Sequence, residues 1–295
     1  MISAEQISAE LQALEGKIFC EKHGQGSIAS YWQRTFPDIS PAQFYSSLKA
    51  LQIPGDSPKI NIEFTNTLGD YMPLIEIEWP SAENPRDRMA FMKFEPKQNE
   101  LYFSNLIAPH ISDQSYAKKL MYWLSDLTTK LDKKKITACA MLQMGAYTWA
   151  RFGFTPYADH WLDLKEDIRN YRLNKNFDRI SFDKRMSDGK GLWDDSPYID
   201  AHPAGFELTK DETAEIKDAL SSKNPEDIWA LSDLGRELAR TSDKPPHIIT
   251  VGKILLSGLS WEGSLSLKPG TKAMDRFTSY INRAPEQSTN KAVEI

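Results

Sequence analysis

The feature that most constrains this chain is a change of hydrophobic period on either side of Pro109. Residues 101–108 read as a strand whose apolar end, Leu106-Ile107-Ala108, is suited to burial on both faces. Beyond Pro109, Tyr116, Leu120, Leu124, Leu127 and Leu131 recur at helical spacing. That run ends in Lys133-Lys134-Lys135, cations that complement the dipole of a helix C-terminus and otherwise face solvent. Residues 136–141 form a second short apolar strand, and residues 143–152 a short helix stopped by Gly153. Parallel pairing of the two strands requires a crossover, and the helix between them has the length to supply a right-handed one. Residues 89–156 therefore read as one strand, helix, strand, helix unit.

Three runs precede it as strands: residues 59–64, 74–79 and 89–94, with Ile75 and Ile77 alternating against Glu76 and Glu78. Pro96-Lys97-Gln98-Asn99 has the chemistry of a hairpin turn. At the N-terminus, Ser3 and Gln6 have the spacing of a capping box, and Ile7, Leu11 and Leu14 complete a helix up to Gly16. Tyr31, Trp32, Phe36, Phe44 and Tyr45, interrupted by Pro37 and Pro41, predict short helices joined by turns. Residues 163–196 are polar and read as a connection or peripheral subdomain. Asn224-Pro225 opens an amphipathic helix through Ile228, Leu231, Leu234 and Leu238. Residues 248–256 fit either a strand or a buried helix, and Met274, Phe277 and Ile281 mark a last amphipathic stretch.

The fold class is thus α/β, built on a mixed α+β sheet. The expected division is a helical N-terminal lobe (1–58), an α/β core (59–165), a mainly helical extension (166–285) and a disordered tail (286–295). With 295 residues, of which 40% are hydrophobic and 26% charged, the chain has ample material for a core. A net charge of −5 without a strong gradient argues against nucleic acid as a partner. Two distant cysteines, Cys20 and Cys139, suggest neither a disulfide framework nor a zinc site. Glu5, Glu10 and Glu15 stand where a secretory signal would be basic, and no apolar run approaches ~18 residues, so neither a signal nor a membrane span is expected. A cytoplasmic protein fits, with signal-independent secretion or host delivery left open.

In order of elements, in spacing and in the closing Gly153-Phe154, residues 106–154 resemble the central part of the GNAT superfamily of acyl-CoA-dependent N-acyltransferases. The likeness covers about a sixth of the chain directly, or about a third with the strands from Lys59. It implies a V-shaped, GNAT-like central sheet with helical additions at both ends. It also implies acetyl-CoA or another acyl-CoA as cofactor, and an amine of a small molecule or partner protein as acceptor. In the family, a strand ending in an apolar pair and a proline leads through a small-residue loop into a helix, whose first N–H groups bind the cofactor pyrophosphate. Laid on this sequence, the cofactor-binding positions are Leu106, Ile107, Gln114, Ser115, Tyr116, Ala117 and Lys118. The loop glycines are replaced: Ala117 and Ser115 are the small residues, Asp113 adds a negative charge, and Lys118 is the nearest cation. The family's proton-donating tyrosine falls on Trp149, so Tyr147 is the substitute general acid. A general base is expected on the preceding strands among Glu76, Glu78, Glu95 and Glu100, and Glu100 is taken for that role.

These departures sustain a second reading: the same fold without CoA chemistry, serving as a binding module such as a bacterial effector or a phage- or toxin-associated protein. A third reading puts an unrelated site around Trp193, Trp229 and Trp261. His110 and His160 read as structural hydrogen-bonders at element ends, His202 and His247 lack metal-ligand spacing, and Gly252-Lys253 lacks the upstream glycine of a P-loop.

Overall fold

The computed structural model describes residues 2–23, 27–53, 57–67, 70–80, 88–107, 115–140, 145–170, 208–240, 248–256 and 258–282. They divide into two units, Met1–Ala138 with Ser266–Thr271 and Thr278–Ile295, and Cys139–Leu265 with Lys272–Phe277.

In the first unit, α1 (Ala4–Ala13) starts at Ser3, whose hydroxyl accepts from the Gln6 amide at 3.1 Å. The expected reciprocal bond is missing because the Gln6 side chain donates to Glu10 instead. A complete capping box forms instead at α3 (Pro41–Lys49), between Ser40 and Gln43. Strand β1 (Ile18–His23) precedes α2 (Ile28–Thr35) and runs parallel to β2 (Lys59–Thr67). The N-terminal lobe is therefore no separate helical piece. Its strand joins the sheet, with α2 and α3 as the crossover that parallel pairing demands.

Strands β3 (Asp70–Pro80), β4 (Arg88–Pro96) and β5 (Glu100–Ile107) continue as an antiparallel meander. Helix α4 (Ser115–Lys130) then carries the chain to β6 (Lys135–Ala140), which pairs with β5 in parallel, as the period change predicts. The alternation is read out as burial: Ile60, Ile62, Ile75, Ile77, Phe94, Phe103 and Ile136 are buried, whereas Glu76 pairs at the other face with Lys93 at 2.9 Å. Helices α2, α3 and α4 supply the other half of the core. Trp123 of α4 meets Phe44 of α3 edge-on at 5.6 Å and Phe94 of β4 at 6.1 Å, and its indole N–H donates to Ser47 at 2.9 Å. One side chain thus joins two helices to the sheet with its polar atom satisfied.

The second unit contains α5 (Gly145–Arg151), β7 (Thr155–Pro156), α6 (Ala158–Ile168), α7 (Lys210–Ser221) and a 3-10 turn at Pro225–Asp227. There follow α8 (Ile228–Asp233), β8 (Glu237–Arg240), β9 (Ile248–Thr250), α9 (Val251–Leu256), β10 (Trp261–Ser266) and the start of α10 (Lys272–Asn282). The single amphipathic helix expected up to Leu238 is cut short: α8 stops at Asp233, and Leu238 lies in β8. The ambiguous 248–256 stretch is both things, a strand of three residues followed by a helix. The main sheet has the order β1-β2-β3-β4-β5-β6-β10-β7, and β6 and β10 each have residues in both units. Gly263 pairs with Pro156, and a Cβ there would sit 2.1 Å from the Thr155 carbonyl oxygen, so only glycine fits. No described helix is long and apolar enough to cross a membrane.

Glu212 organises the start of α7. Its carboxylate accepts from the Thr209 amide at 2.8 Å while the Thr209 hydroxyl accepts from the Glu212 amide, and Arg236 adds a guanidinium bond at 2.8 Å. The Arg236 hydrogen bonds, acting against burial, lower the Glu212 pKa from its ordinary 4.5 to about 2. The resulting stabilisation is fully present above pH 4.5 and is lost as the pH falls through about 2. Glu212→Gln should therefore cost about 1 kcal/mol at pH 7 and almost nothing at pH 2, as read by urea denaturation at the two pH values.

Candidate functional site

The place to look for a site is the C-terminal end of β5, where the chain turns from sheet to helix. The β4–β5 ladder pairs Phe94 with Phe103 and Lys93 with Asn105, which leaves Ser104 as an extra residue. This is a β-bulge, and bulges re-aim a strand or terminate its pairing. The Ser104 hydroxyl fixes it by donating to the Lys93 carbonyl at 3.2 Å. The parallel ladder with β6 runs from Glu100 opposite Lys135 to Phe103 opposite Ala138 and ends there. Beyond the bulge, Asn105, Leu106 and Ile107 pair with Lys93, Met92 and Phe91 of β4. Among the described residues, the parallel ladder with β6 does not continue along Asn105, Leu106 and Ile107.

Of the predicted cofactor-binding residues, Leu106 and Ile107 lie on this segment, and Ser115 opens α4. Gln114 falls outside the described residues, as does His110. Tyr116 and Ala117 are half-buried in the first turn of α4. Lys118 is only 9% exposed, and its ammonium lies 4.9 Å from the centre of the Tyr280 ring, where a cation–π contact holds it.

Glu100 is not brought to this end. It opens β5, seven residues before Ile107, or roughly 20 Å along the strand. Burial would raise its pKa, but hydrogen bonds from Lys135 and Thr137, with the charges of Lys135 and Lys97, hold it below the ordinary carboxylate value. Both partners stand at 2.9 Å. A carboxylate held ionised in this way ties β5 to β6 and is a weaker base than a free one.

In the second unit, Tyr147 is half-buried on α5, with the Arg151 guanidinium 5.9 Å from its ring centre. Trp149 turns into the core against Phe152 and Phe154. Gly153 has φ +89°, which ends α5 and brings its backbone so close to the Ala273 carbonyl that a Cβ would stand 2.8 Å from it. Trp229 donates to the Phe154 carbonyl at 2.9 Å, and Trp261 is buried in β10; Trp193 lies outside the described residues. The His160 ring lies tilted against Tyr157, with ring centres 6.5 Å apart.

Two further groups have no counterpart in the sequence reading. Ser104 left a faint sign, because the apolar spacing 101, 103, 106 skips one position where the bulge lies. The second group left none, since its members come from three elements far apart in the sequence. Arg276 donates to both Asp233 oxygens at 2.7 and 2.9 Å, to the Ser232 hydroxyl at 2.9 Å and to the Ala150 carbonyl at 3.1 Å. Arg151 reaches the same carboxylate at 3.3 Å. Two guanidinium groups around one carboxylate clamp α5, α8 and α10 together.

Neither thiol is activated: burial pushes Cys20 up to about 12, and burial with the charge of Glu262 raises Cys139. Among the described residues no group of three His, Cys, Asp or Glu is placed to hold a metal ion. A pocket of about 230 Å³ between α3 and α4 has Phe44, Trp123 and Leu127 among its lining residues, below the size usual for a drug-like ligand. No family model matches the sequence, and comparison with curated proteins and with solved structures finds no match.

The clamp makes a clear prediction. Arg276→Ala should lower the stability of the protein by about 2 kcal/mol, and Arg276→Lys should recover less than half of this, because an ammonium cannot reproduce the paired bonds. Urea denaturation of the two variants and of the Arg276→Ala/Asp233→Ala pair checks it. The double change should cost less than the sum of the single ones.

Proposed function

We propose that this protein is an acyl-CoA-dependent N-acyltransferase of GNAT type, with the acyl-CoA arm laid along β5 beyond the end of its described ladder with β6. The observation that carries the reading is the coincidence of the Ser104 bulge with the end of the β5–β6 ladder, just before the chain enters α4. A strand edge offers amides and carbonyls at strand spacing, which suits an extended ligand containing amide groups of its own. The early N–H groups of α4, a helix of 16 residues, lack acceptors in their own helix and suit phosphate oxygens. When bound, the cofactor would supply an acyl thioester. The chain's share is to align it with an amine, so proximity would contribute most of the rate. Glu100 is not retained as the base, on account of its ion pair with Lys135. The acceptor amine is that of a protein or small molecule.

One observation favours the alternative, a non-catalytic binding module of the same architecture. Lys118, the cation nearest the loop, is buried against Tyr280, so no lysine at that position stands ready for a pyrophosphate.

Isothermal titration of the full chain with acetyl-CoA decides between the two. Saturable heat below millimolar ligand, with acetyl transfer to at least one member of an amine panel, is expected. Absence of heat and of protection from proteolysis at millimolar acetyl-CoA would sink the catalytic reading and leave the binding module.

A further inference from the structure

The end of the first-unit sheet opposite to Ile107 gathers lysines that are scattered in the sequence. The β4–β5 turn closes through the Lys97 amide, which donates to the Glu100 carbonyl at 2.9 Å. The Lys134 amide donates to the Asn99 carbonyl at 3.2 Å, and the Leu267 amide to the Lys134 carbonyl at 3.0 Å. These bonds set three segments side by side: residues 97–100, the 126–135 passage from α4 into β6, and residues 267–271. Together they carry Lys97, Lys130, Lys133, Lys134, Lys135 and Lys268, against Glu100, Asp126 and Asp132.

Much of the negative charge is already engaged. Asp126 holds Lys130 at 2.7 Å, and Glu100 holds Lys135 at 2.9 Å. Lys133 donates to the neutral Gln98 carbonyl at 2.9 Å, and Lys97 covers the Tyr102 ring at 4.1 Å. Neither contact is with a charged group, although Glu100 lies within the field of Lys97 and Asp132 within that of Lys133. Lys134 and Lys268 are exposed on the adjoining turns. A protein with net charge −5 therefore presents, on one set of turns, a local excess of ammonium groups.

We propose that this lysine-bearing end is a docking surface for an acidic segment of a partner protein. The chemistry selects among anions. The three segments contain no arginine for bidentate phosphate recognition. Tyr102 is half-buried beneath Lys97, so it offers no open platform for stacking bases, and the exposed turn residues include no large apolar side chain to enter a bilayer interface. An extended polyanion would also meet the net negative charge of the rest of the protein. A short acidic peptide would feel mainly the patch, because at physiological salt the field decays over about 8 Å. The surface lies at the other end of β5 from the proposed acyl-CoA edge, so this inference does not depend on that reading.

The test uses the full chain and a fluorescein-labelled hexaglutamate peptide, followed by fluorescence anisotropy in low salt and again at physiological ionic strength. Saturable binding that weakens with salt is expected. The triple variant Lys97→Gln, Lys134→Gln, Lys268→Gln should bind roughly tenfold more weakly, the combined effect of three exposed ion pairs. A control triple at Lys49, Lys210 and Lys217 should stay within about twofold of the unaltered protein. If the test triple fails to fold by circular dichroism, Lys268→Gln alone must still weaken binding by about twofold. The proposal is overturned by a lack of saturable binding, by equal losses in the two triple variants, or by tighter binding of a duplex DNA oligonucleotide or phosphatidylserine vesicles than of the peptide.

Discussion

A parallel pair of strands cannot be joined by a tight turn, and the first unit is organised around meeting that constraint twice. Between β1 and β2 the crossover is α2 and α3, and between β5 and β6 it is α4. Each crossover has to bury its apolar stripe against the sheet, and here the stripes meet one another as well. Trp123 packs against both Phe44 and Phe94 while its indole N–H is satisfied by Ser47. A large buried ring with a satisfied donor combines hydrophobic transfer with orientation, so it fixes the helices to the sheet more specifically than an aliphatic side chain of equal area would.

Within that frame, the local exception at Ser104 matters more than any single reactive side chain. The parallel ladder stops at Phe103, and the bulge follows at the next residue. The strand stays anchored to β4 beyond the point where its described ladder with β6 ends. Backbone groups survive substitution of the side chains around them, so a ligand held by the main chain would depend neither on the replaced loop glycines nor on Lys118, which packs against Tyr280.

Electrostatics in the two units work at different scales. In the second unit, the mostly buried Arg151 and Arg276 converge on the exposed Asp233, and Arg236 draws the Glu212 carboxyl far down its pKa range; both arrangements hold elements in place. At the lysine-bearing end of the first unit the groups are mostly exposed. There the individual pairs contribute little to stability, and what is left is a surface field that a complementary partner could use.

Patterns confined to neighbouring residues were legible in the chain. The stripe at Leu120, Leu124, Leu127 and Leu131, the alternation around Ile75 and Ile77, and the stop at Gly153 all appear where the periods place them, because helix and strand repeats act over a few residues. The tertiary structure alone decided that Ile18–His23 is a strand, that Leu238 leaves its helix, and that Glu100 is committed to Lys135 instead of standing near Ile107. The same holds for the clamp on Asp233 and for the meeting of Lys97, Lys134 and Lys268, whose members lie many residues apart. Short-range spacing determines which face of an element is apolar; which faces and turns come together depends on long-range pairing, and no local period encodes that.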